Sequence, residues 1–471
     1  MVFNTLTFAA FFACVLLLHS LPFSWKVRKI NLLLASYIFY IAWNPPFVLL
    51  LWISTVVDWY AAQGLVRAVR PASRRGWMIL SVVANLGMLL FFKYGNFLLQ
   101  NFTAVMAAIG VQYHAPKMDI VLPVGISFYT FATMSYTLDV YLRRAVPARN
   151  FLDYALFVTF FPHLVAGPIM RPTELVPQFE TPRRANTRQV CFGLGLMTLG
   201  LFNKVVLADT FLSGAAERIF DQAKPPGLLD AWTGTLAFSG QIFCDFAGYS
   251  TTAIGAALCL GFFMPDNFRF PYAAVGFSDF WRRWHITLSS WLRDYLYIPL
   301  GGNRHGPLRL NAALMSTMLL GGLWHGANWT FVAWGGLHGT YLVAERRVRA
   351  RFAGYRPGPL ALLGLGLVTY MLVNLTWVFF RAKDFSTAWR VLRGMLGLNA
   401  AAKPILPIVF IASVATIVPV LVAVHWYMRE QTLETAIARV PPALIALLWG
   451  LMVFAIVIAQ GAGNAFIYFQ F

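Results

Sequence analysis

Two histidines stand in a stretch that mixes charged and aromatic residues within an otherwise apolar chain of 471 residues, running from Phe277 to His338. His285 follows the run Phe-Trp-Arg-Arg-Trp, and His325 is the centre of a Trp-His-Gly triplet. No Lys, Arg, Asp or Glu occurs from Leu310 to Val343, so His325 is predicted to lie inside a membrane-spanning helix. Ionisable side chains within a membrane are costly and mark functional sites.

A buried histidine can act as a base, because imidazole exchanges a proton near neutral pH and burial keeps it uncharged. Such a base could take the proton of an alcohol while the alcohol attacks a thioester, which is general-base acyl transfer. The competing interpretation is a structural imidazole that hydrogen-bonds between helices. His163 and His338 allow the same two interpretations, and four other histidines are predicted to be structural or interfacial: His19, His114, His305 and His425.

Several other chemistries lack the residues that they need. The chain has no GxxxxGK[ST] loop for phosphates, no HExxH, no GxSxG and no dinucleotide-binding glycine pattern. Neither His285 nor His325 is followed by the aspartate of an H-x4-D pair. The four cysteines are scattered without metal-binding spacing, so no metal site is predicted. Histidine chemistry without a metal remains.

The segment from Phe277 to Arg309 is too charged to face lipid along its length and too aromatic for an exposed loop. We expect an amphipathic or re-entrant helix, buried in the protein near the cytoplasmic boundary. One continuous helix would group Trp281, Trp284, Leu288 and Trp291 on one face, and Arg282, His285 and Ser289 on an adjacent face toward a cavity.

Glycines flank the second histidine. Gly322 and Gly326 stand one helical turn apart, so a second helix or a substrate chain can approach the backbone beside His325.

The composition indicates the elements that position these residues. Hydrophobic residues make up 59% of the chain and charged residues 12%, against a charged share of ~25% in soluble proteins. Apolar stretches of about 20 residues recur, for example Ile405 to Trp426 and Pro441 to Ile458, without the alternation of a membrane β-barrel. The predicted fold class is an all-α polytopic membrane protein with about 10 to 12 transmembrane helices.

The net charge of +19 comes from 37 Lys and Arg residues that form short clusters between apolar runs, so nucleic acid is not a predicted partner. Basic loops stay cytoplasmic. Two spans at about 30–43 and 47–65 separate the first two basic clusters, which predicts an N-terminus outside the cytoplasm. The first apolar stretch, Phe3 to Leu18, precedes a basic cluster and is predicted to be a retained span rather than a signal peptide.

No linker, low-complexity segment or internal repeat divides the chain, so residues 1–471 are predicted to form one membrane domain. Within it we distinguish N-terminal peripheral spans (1–118), a catalytic core (119–380) and C-terminal spans (381–471).

Several motifs together resemble the membrane-bound O-acyltransferase (MBOAT) superfamily, and its bacterial polysaccharide O-acetylase branch in particular. The principal matches are residues 280–285 (FWRRWH), 291–302 (WLRDYLYIPLGG) and Trp-His-Gly at 324–326. Further matches are residues 123–131, Gly167 to Ile169, Gln241 to Ser250 and the terminal Phe466 to Phe471. The resemblance extends over most of the chain, and the combination is far more specific than a lone Trp-His-Gly.

The resemblance implies helices around a central tunnel, with His325 as the catalytic histidine and His285 where many eukaryotic relatives carry Asn. It further implies acetyl-CoA as the donor, with no permanently bound cofactor, on the cytoplasmic side of a bacterial inner membrane. The acceptor would be an exported, alginate-like polysaccharide, reached directly or through a periplasmic SGNH-hydrolase-like acetyltransferase. D-alanyl transfer and peptidoglycan acylation are alternatives within the superfamily. A proton-coupled transporter or flippase is the alternative from another class.

Other residues obtain candidate roles from this resemblance. Binding of the donor, and of the CoA phosphates above all, is assigned to Arg282, Arg283, Trp284, Arg293 and Arg304, with Arg309 as a further cation. The competing interpretation of these arginines is that they are solvated at the membrane interface. The tunnel or its polar network is assigned to Asp245, Trp324, Asn328 and His338. Asp245 could be a counter-ion for one of the arginines.

Overall fold

The structure is a computed structural model that describes residues 1–116, 118–399 and 401–460. Within these ranges all of the regular secondary structure is helical, which confirms the predicted all-α class. The terminal match from Phe466 to Phe471 lies outside the described residues. Helices satisfy their backbone hydrogen bonds internally, as lipid requires.

The chain divides into two compact units. The first comprises Met1–Met197 and Ser250–Pro265, and the second comprises Thr198–Tyr249 and the chain from Asp266 onward. The division into 1–118, 119–380 and 381–471 within a single domain stays a prediction.

The first unit holds α1 to α9, with two further helices that continue into the second unit. Its helices are α1 Leu6–Ser20, α2 Trp25–Ile41, α3 Val48–Arg67, α4 Pro71–Leu89, α5 Gly95–Ala108, α6 Ile126–Tyr141, α7 Phe151–Thr159, α8 Phe161–Leu164 and α9 Pro172–Glu180. A 3-10 turn (Pro45–Phe47) and a π-helical turn (Leu90–Tyr94) lie between them.

The helices shared by the two units are α10 Thr187–Leu201 and α12 Leu228–Cys259. The second unit adds α11 Ser213–Phe220, α13 Phe277–Arg283, α14 Ile286–Leu292, α15 Gly306–His325, α16 Trp329–Arg351, α17 Pro359–Arg381, α18 Phe385–Met395, α19 Ile408–Tyr427, α20 Leu433–Ile437 and α21 Pro442–Ala459. It also contains π-helical segments (Phe202–Leu212 and Arg293–Tyr297) and a 3-10 turn (Pro271–Ala273).

Seven helical segments in the described part of the chain are long and apolar enough to cross a membrane: Pro45–Arg67, Pro71–Ala108, Thr187–Phe220, Leu228–Cys259, Pro359–Arg381, Ile408–Tyr427 and Pro442–Ala459. The protein is therefore a multi-pass membrane protein. Helix α15 has 20 residues and α16 has 23, so each reaches ~30 Å or more at 1.5 Å per residue, but neither belongs to the seven. The total of 10 to 12 stays a prediction.

A tight hairpin of α15 and α16 sets the position of His325. Gly322 on α15 lies against Gly335 on α16, and a Cβ atom at Gly335 would overlap the carbonyl oxygen of Met318. A second helix therefore does approach α15 at Gly322, as the glycine spacing predicts. Gly326 follows the last residue of α15 in an extended conformation, and the Asn328 side chain accepts a hydrogen bond from the Thr330 backbone N–H to cap α16.

The prediction of one continuous helix from Phe277 is wrong. Helix α13 ends at Arg283, and α14 begins at Ile286. Between them His285 adopts φ 42° and ψ 55°, a left-handed conformation that interrupts a right-handed helix and is uncommon for a residue with a side chain. The faces predicted from continuous helical spacing therefore do not exist across this break.

Candidate active site

His325 is the last residue of α15 and only 3% exposed. Three aromatic rings surround its imidazole, with ring centroids 5.1 Å away for Trp324, 5.0 Å for Trp334 and 5.2 Å for Phe380. All three contacts are edge-on and come from three different helices, α15, α16 and α17. These rings present mainly carbon to the imidazole and give a low local dielectric constant.

Trp324 brings the two candidate histidines into one cluster. Its ring centroid lies 6.0 Å from that of His285 and 5.1 Å from that of His325, and both contacts are edge-on. The side chain of Trp324 is itself 5% exposed. The structure therefore places one indole beside both histidines, although 40 residues separate them along the chain.

His285 is fully buried, and its Nδ1 lies 3.1 Å from Oδ1 of Asn267. Because an amide oxygen only accepts hydrogen bonds, Nδ1 carries the hydrogen and Nε2 carries the lone pair. Burial lowers the pKa of His285, which lies outside the candidate spans, to about 3. The imidazole is therefore neutral at physiological pH, with a defined tautomer.

Asn267 holds the break in which His285 lies. Its Oδ1 also accepts hydrogen bonds from the backbone N–H of Thr287 at 3.2 Å and from the Thr287 hydroxyl at 2.9 Å. Its backbone carbonyl accepts a bond from the Ile286 N–H at 2.9 Å. These contacts satisfy N–H groups at the start of α14 that have no partner within the helix. Sequence reasoning missed Asn267, because no motif or periodicity distinguishes it.

His338, assigned to the tunnel, is fully buried in the same unit. Its Nε2 lies 2.9 Å from the Thr376 hydroxyl, which donates its own hydrogen to the Val373 carbonyl at 2.7 Å. Nε2 is thus the donor, and Nδ1 is a buried acceptor without a hydrogen-bond partner. The indoles of Trp281 and Trp334 lie 5.2 and 4.8 Å away, and neither indole N–H has a partner.

Asp245 lies in a buried ion-pair network on α12. The Lys204 Nζ lies 2.5 Å from an Asp245 carboxylate oxygen and 2.8 Å from one of Asp209. Lys204 and Asp209 both belong to the π-helical segment Phe202–Leu212, and such segments are frequent at functional sites. Asp245 is thus paired with a lysine on a neighbouring segment rather than with the arginines near His285.

The predicted donor-binding arginines differ in their surroundings. Arg283 is mostly buried, and its guanidinium contacts the Asp279 carboxylate at 3.0 Å and the Arg429 carbonyl at 2.9 Å. Arg293 is exposed and pairs with Asp294 at 2.8 Å, and this hydrogen bond raises its pKa. Arg282, Arg304 and Arg309 are exposed as well. Only the last group presents side chains on the surface without a described ion pair.

The other two predicted residues have packing or capping contacts. Trp284 is fully buried among aromatic rings, with Phe268 and Trp377 each at 5.0 Å. Asn328 uses its oxygen to cap α16, and its nitrogen donates to the Lys383 carbonyl at 2.7 Å. In the described part of the chain, no three His, Cys, Asp or Glu side chains are grouped in a way that could hold a metal ion.

Comparison with known proteins identifies the family. Residues 14–373 match MBOAT, the membrane-bound O-acyltransferase family. The chain is 40% identical to the peptidoglycan O-acetyltransferase of Helicobacter pylori over 403 residues, which cover 79% of this chain and 75% of that protein. It is 42% identical to the probable alginate O-acetylase AlgI of Azotobacter vinelandii over 375 residues, which cover 79% of this chain and 74% of that one.

A more distant relative is the teichoic acid D-alanyltransferase of Streptococcus thermophilus, 31% identical over 232 residues, which cover 46% of this chain and 55% of that protein. The family match contains both candidate histidines and most of the chain. The protein is therefore an acyltransferase, and the chain belongs to the membrane-bound O-acyltransferase family.

Proposed function

We propose that the protein transfers an acetyl group from acetyl-CoA to hydroxyl groups of an extracytoplasmic polysaccharide. The observation that carries the proposal is the buried His325 within three aromatic rings, in a family of O-acyltransferases. Acetyl as the transferred group rests on the relatives described as O-acetylases or O-acetyltransferases.

In the proposed reaction, His325 accepts the proton of the acceptor hydroxyl while the hydroxyl oxygen attacks the thioester carbonyl carbon. The new C–O bond forms, the C–S bond breaks, and the proton passes from the imidazolium to the departing CoA sulfur. The surrounding rings limit hydrolysis because they keep water away from the thioester. Negative charge develops on the thioester carbonyl oxygen and positive charge on the imidazolium. Both lie in a medium of low dielectric constant, so a nearby hydrogen-bond donor stabilises the negative charge strongly.

The neighbouring polar groups have separate proposed roles. The Trp334 indole N–H is buried without a partner and its ring lies 5.0 Å from that of His325, so it is a candidate donor to the substrate. His285 has a fixed tautomer through Asn267, and we assign it to the orientation of donor or acceptor. Arg282 and Arg304 are the exposed cations proposed for the CoA phosphates.

The proposed location is a bacterial inner membrane, with the N-terminus on the periplasmic side and CoA bound from the cytoplasm. The acetyl group would then cross the membrane within the protein and reach the polymer directly or through a periplasmic acetyltransferase of the SGNH-hydrolase type. Three routes for the acetyl group are compatible with the use of His325. The acetyl group forms an acyl-imidazole on His325, passes to a serine of the periplasmic acetyltransferase, or is attacked directly by the sugar.

The test uses purified protein in detergent with acetyl-CoA labelled in the acetyl group. We expect release of free CoA and transfer of label to an acceptor, and a loss of at least about 100-fold in His325→Gln, since general-base catalysis contributes typically 10²–10⁴-fold. His305 is exposed and remote from the aromatic cluster in sequence, so His305→Gln is the matched control. Equal turnover in both variants would refute the catalytic role.

Peptidoglycan is the second candidate acceptor, because the Helicobacter pylori relative is 40% identical, close to the 42% of the alginate O-acetylase. The same assay with polymannuronate oligomers and with peptidoglycan fragments separates the two. A labelled product from only one polymer assigns the acceptor class.

A further inference from the structure

A small cavity lies in the first unit between α1 and α2, away from both candidate histidines in the chain. Its apolar lining is Val15, Leu18, Leu32 and Ala35, and its polar lining is His19, Arg28 and Asn31. The volume is about 20 Å³, which is enough for one or two water-sized atoms. The cavity can thus admit an oxygen atom of a ligand, but not a sugar or a nucleotide.

The cation in this cavity is Arg28, which is only 4% exposed. One of its terminal nitrogens donates to the Leu21 carbonyl at 2.7 Å, and its Nε is buried without a hydrogen-bond partner. No carboxylate in the described residues forms an ion pair with it. The adjacent Lys29 does have one, because it pairs with Asp153. A buried guanidinium without an anion is costly, so this position favours a negatively charged ligand.

A second cation strengthens the positive potential. The charge of Arg184 acts on both Arg28 and His19, and the Arg184 side chain is exposed. His19 is 5% exposed, and its ring lies 6.2 Å from those of Trp25 and Phe262. The charge of a second chain segment thus acts at the cavity, although Arg28 is the cation that lines it.

The location favours a lipid as the source of the anion. Arg28 lies in the first turn of α2, next to the short turn that joins the apolar helix α1 to α2. Exposed Phe23 and Lys26 flank this turn, and Trp25 begins α2, which is the residue pattern of a membrane interface. Basic pockets between membrane helices bind the phosphates of lipid headgroups.

We propose that Arg28 binds the phosphate of an anionic phospholipid, with one phosphate oxygen in the cavity and an acyl chain along α1 and α2, while the positive charge of Arg184 adds to the attraction. The lipid supplies the counter-charge that the protein itself does not supply. This site is independent of the acetyl-transfer reaction and lies among different residues.

Native mass spectrometry of the full chain in a neutral detergent, titrated with phosphatidylglycerol, tests the proposal. We expect one tightly retained lipid, and an affinity lower by about tenfold in Arg28→Gln because this variant loses a charge-assisted hydrogen bond. Arg184→Gln should lower the affinity less, because its charge acts from outside the cavity lining. Arg184 is exposed, so Arg184→Gln changes the charge near the cavity without disturbing the buried residues around Arg28. Lys26→Gln removes an exposed charge of the same cluster and should change the affinity by about twofold or less.

Two results would overturn the proposal. An equal loss of affinity in Lys26→Gln and in the two arginine variants would indicate general surface charge rather than a site. Retained phosphatidylglycerol binding that millimolar inorganic phosphate displaces completely would identify a free anion, not a lipid, as the ligand. Weaker retention of zwitterionic phosphatidylcholine than of phosphatidylglycerol would support it.

Discussion

The contact between α15 and α16 can be tested with two adjacent glycines that differ in their surroundings. An added Cβ at Gly335 would overlap the Met318 carbonyl oxygen and lie 3.3 Å from the Gly322 Cα. An added Cβ at Gly336 would lie 3.5 Å from a Leu319 methyl carbon, which is an ordinary contact. Gly335→Ala and Gly336→Ala thus form a matched pair on the same helix.

The magnitudes follow from this difference. Carbon and backbone oxygen atoms in contact lie ~3.3–3.6 Å apart, so Gly335→Ala requires the helices to separate by about 1 Å. Overpacking of this kind costs typically 1–3 kcal/mol. Alanine in place of glycine in a helix gains ~1 kcal/mol, but this gain is common to both variants and cancels in their difference. We therefore expect Gly335→Ala to be less stable than Gly336→Ala by about 1–3 kcal/mol.

Activity should separate the two variants further. Since α15 carries His325 at its end, a separation of the helices displaces the imidazole, and a 1 Å misplacement can cost about 100-fold in rate. The assays are thermal unfolding in detergent, followed by tryptophan fluorescence, and CoA release. If Gly335→Ala melts and turns over like Gly336→Ala, the close helix contact and its role in placing His325 are both refuted.

Three further predictions concern His285 and the buried ion pairs. Asn267→Ala should destabilise the protein by about 1–3 kcal/mol, because α14 loses its cap and the Thr287 donors lose their acceptor, and it should lower CoA release. Thr287→Ser keeps both donors and should leave stability and CoA release unchanged. Lys204→Met should cost about 3–5 kcal/mol in thermal unfolding because it leaves Asp245 without its ammonium partner, and an unchanged melting temperature would contradict the ion pair. Burial lowers the pKa of His285 to about 3 in the folded protein. Between about pH 6.5 and 3 this histidine therefore takes up a proton only when the protein is unfolded. The free energy of unfolding should consequently fall by up to about 1.4 kcal/mol per pH unit as the pH decreases. His285→Asn should show a smaller decrease over that window, and equal pH profiles would exclude this contribution.

The sequence predicted those features of the fold that arise from local composition. Long apolar stretches predicted the helices Ile408–Tyr427 and Pro442–Ala459 to within a few residues, because hydropathy and helix length are local properties. The glycine spacing predicted the close helix approach at Gly322 for the same reason. His325 and His285 were identified from residue type and surroundings, and the structure brings both to Trp324.

The features that sequence reasoning missed depend on contacts between distant segments. The helix break at His285 is stabilised by Asn267, 18 residues earlier, and helical periodicity carries no information about it. Likewise the partner of Asp245 is Lys204, 41 residues away on another segment. The sequence allowed a buried polar network or an arginine counter-ion for Asp245, but it did not identify this lysine. Trp334 contacts His325 only because α16 folds back along α15. A prediction that these two helices form a hairpin would have identified Trp334 as a neighbour of His325.

The aromatic enclosure of His325 constrains how the proposed reaction handles its proton. A base that exchanged its proton with solvent would need a path of polar groups or water, whereas Trp324, Trp334 and Phe380 present mainly carbon to the imidazole. In acyl transfer from a thioester, the proton taken from the hydroxyl is needed again at the departing sulfur, so one turnover requires no net proton exchange at the histidine. Repeated turnover therefore needs no proton path between the imidazole and solvent, and the surrounding rings limit hydrolysis of the thioester at the same time.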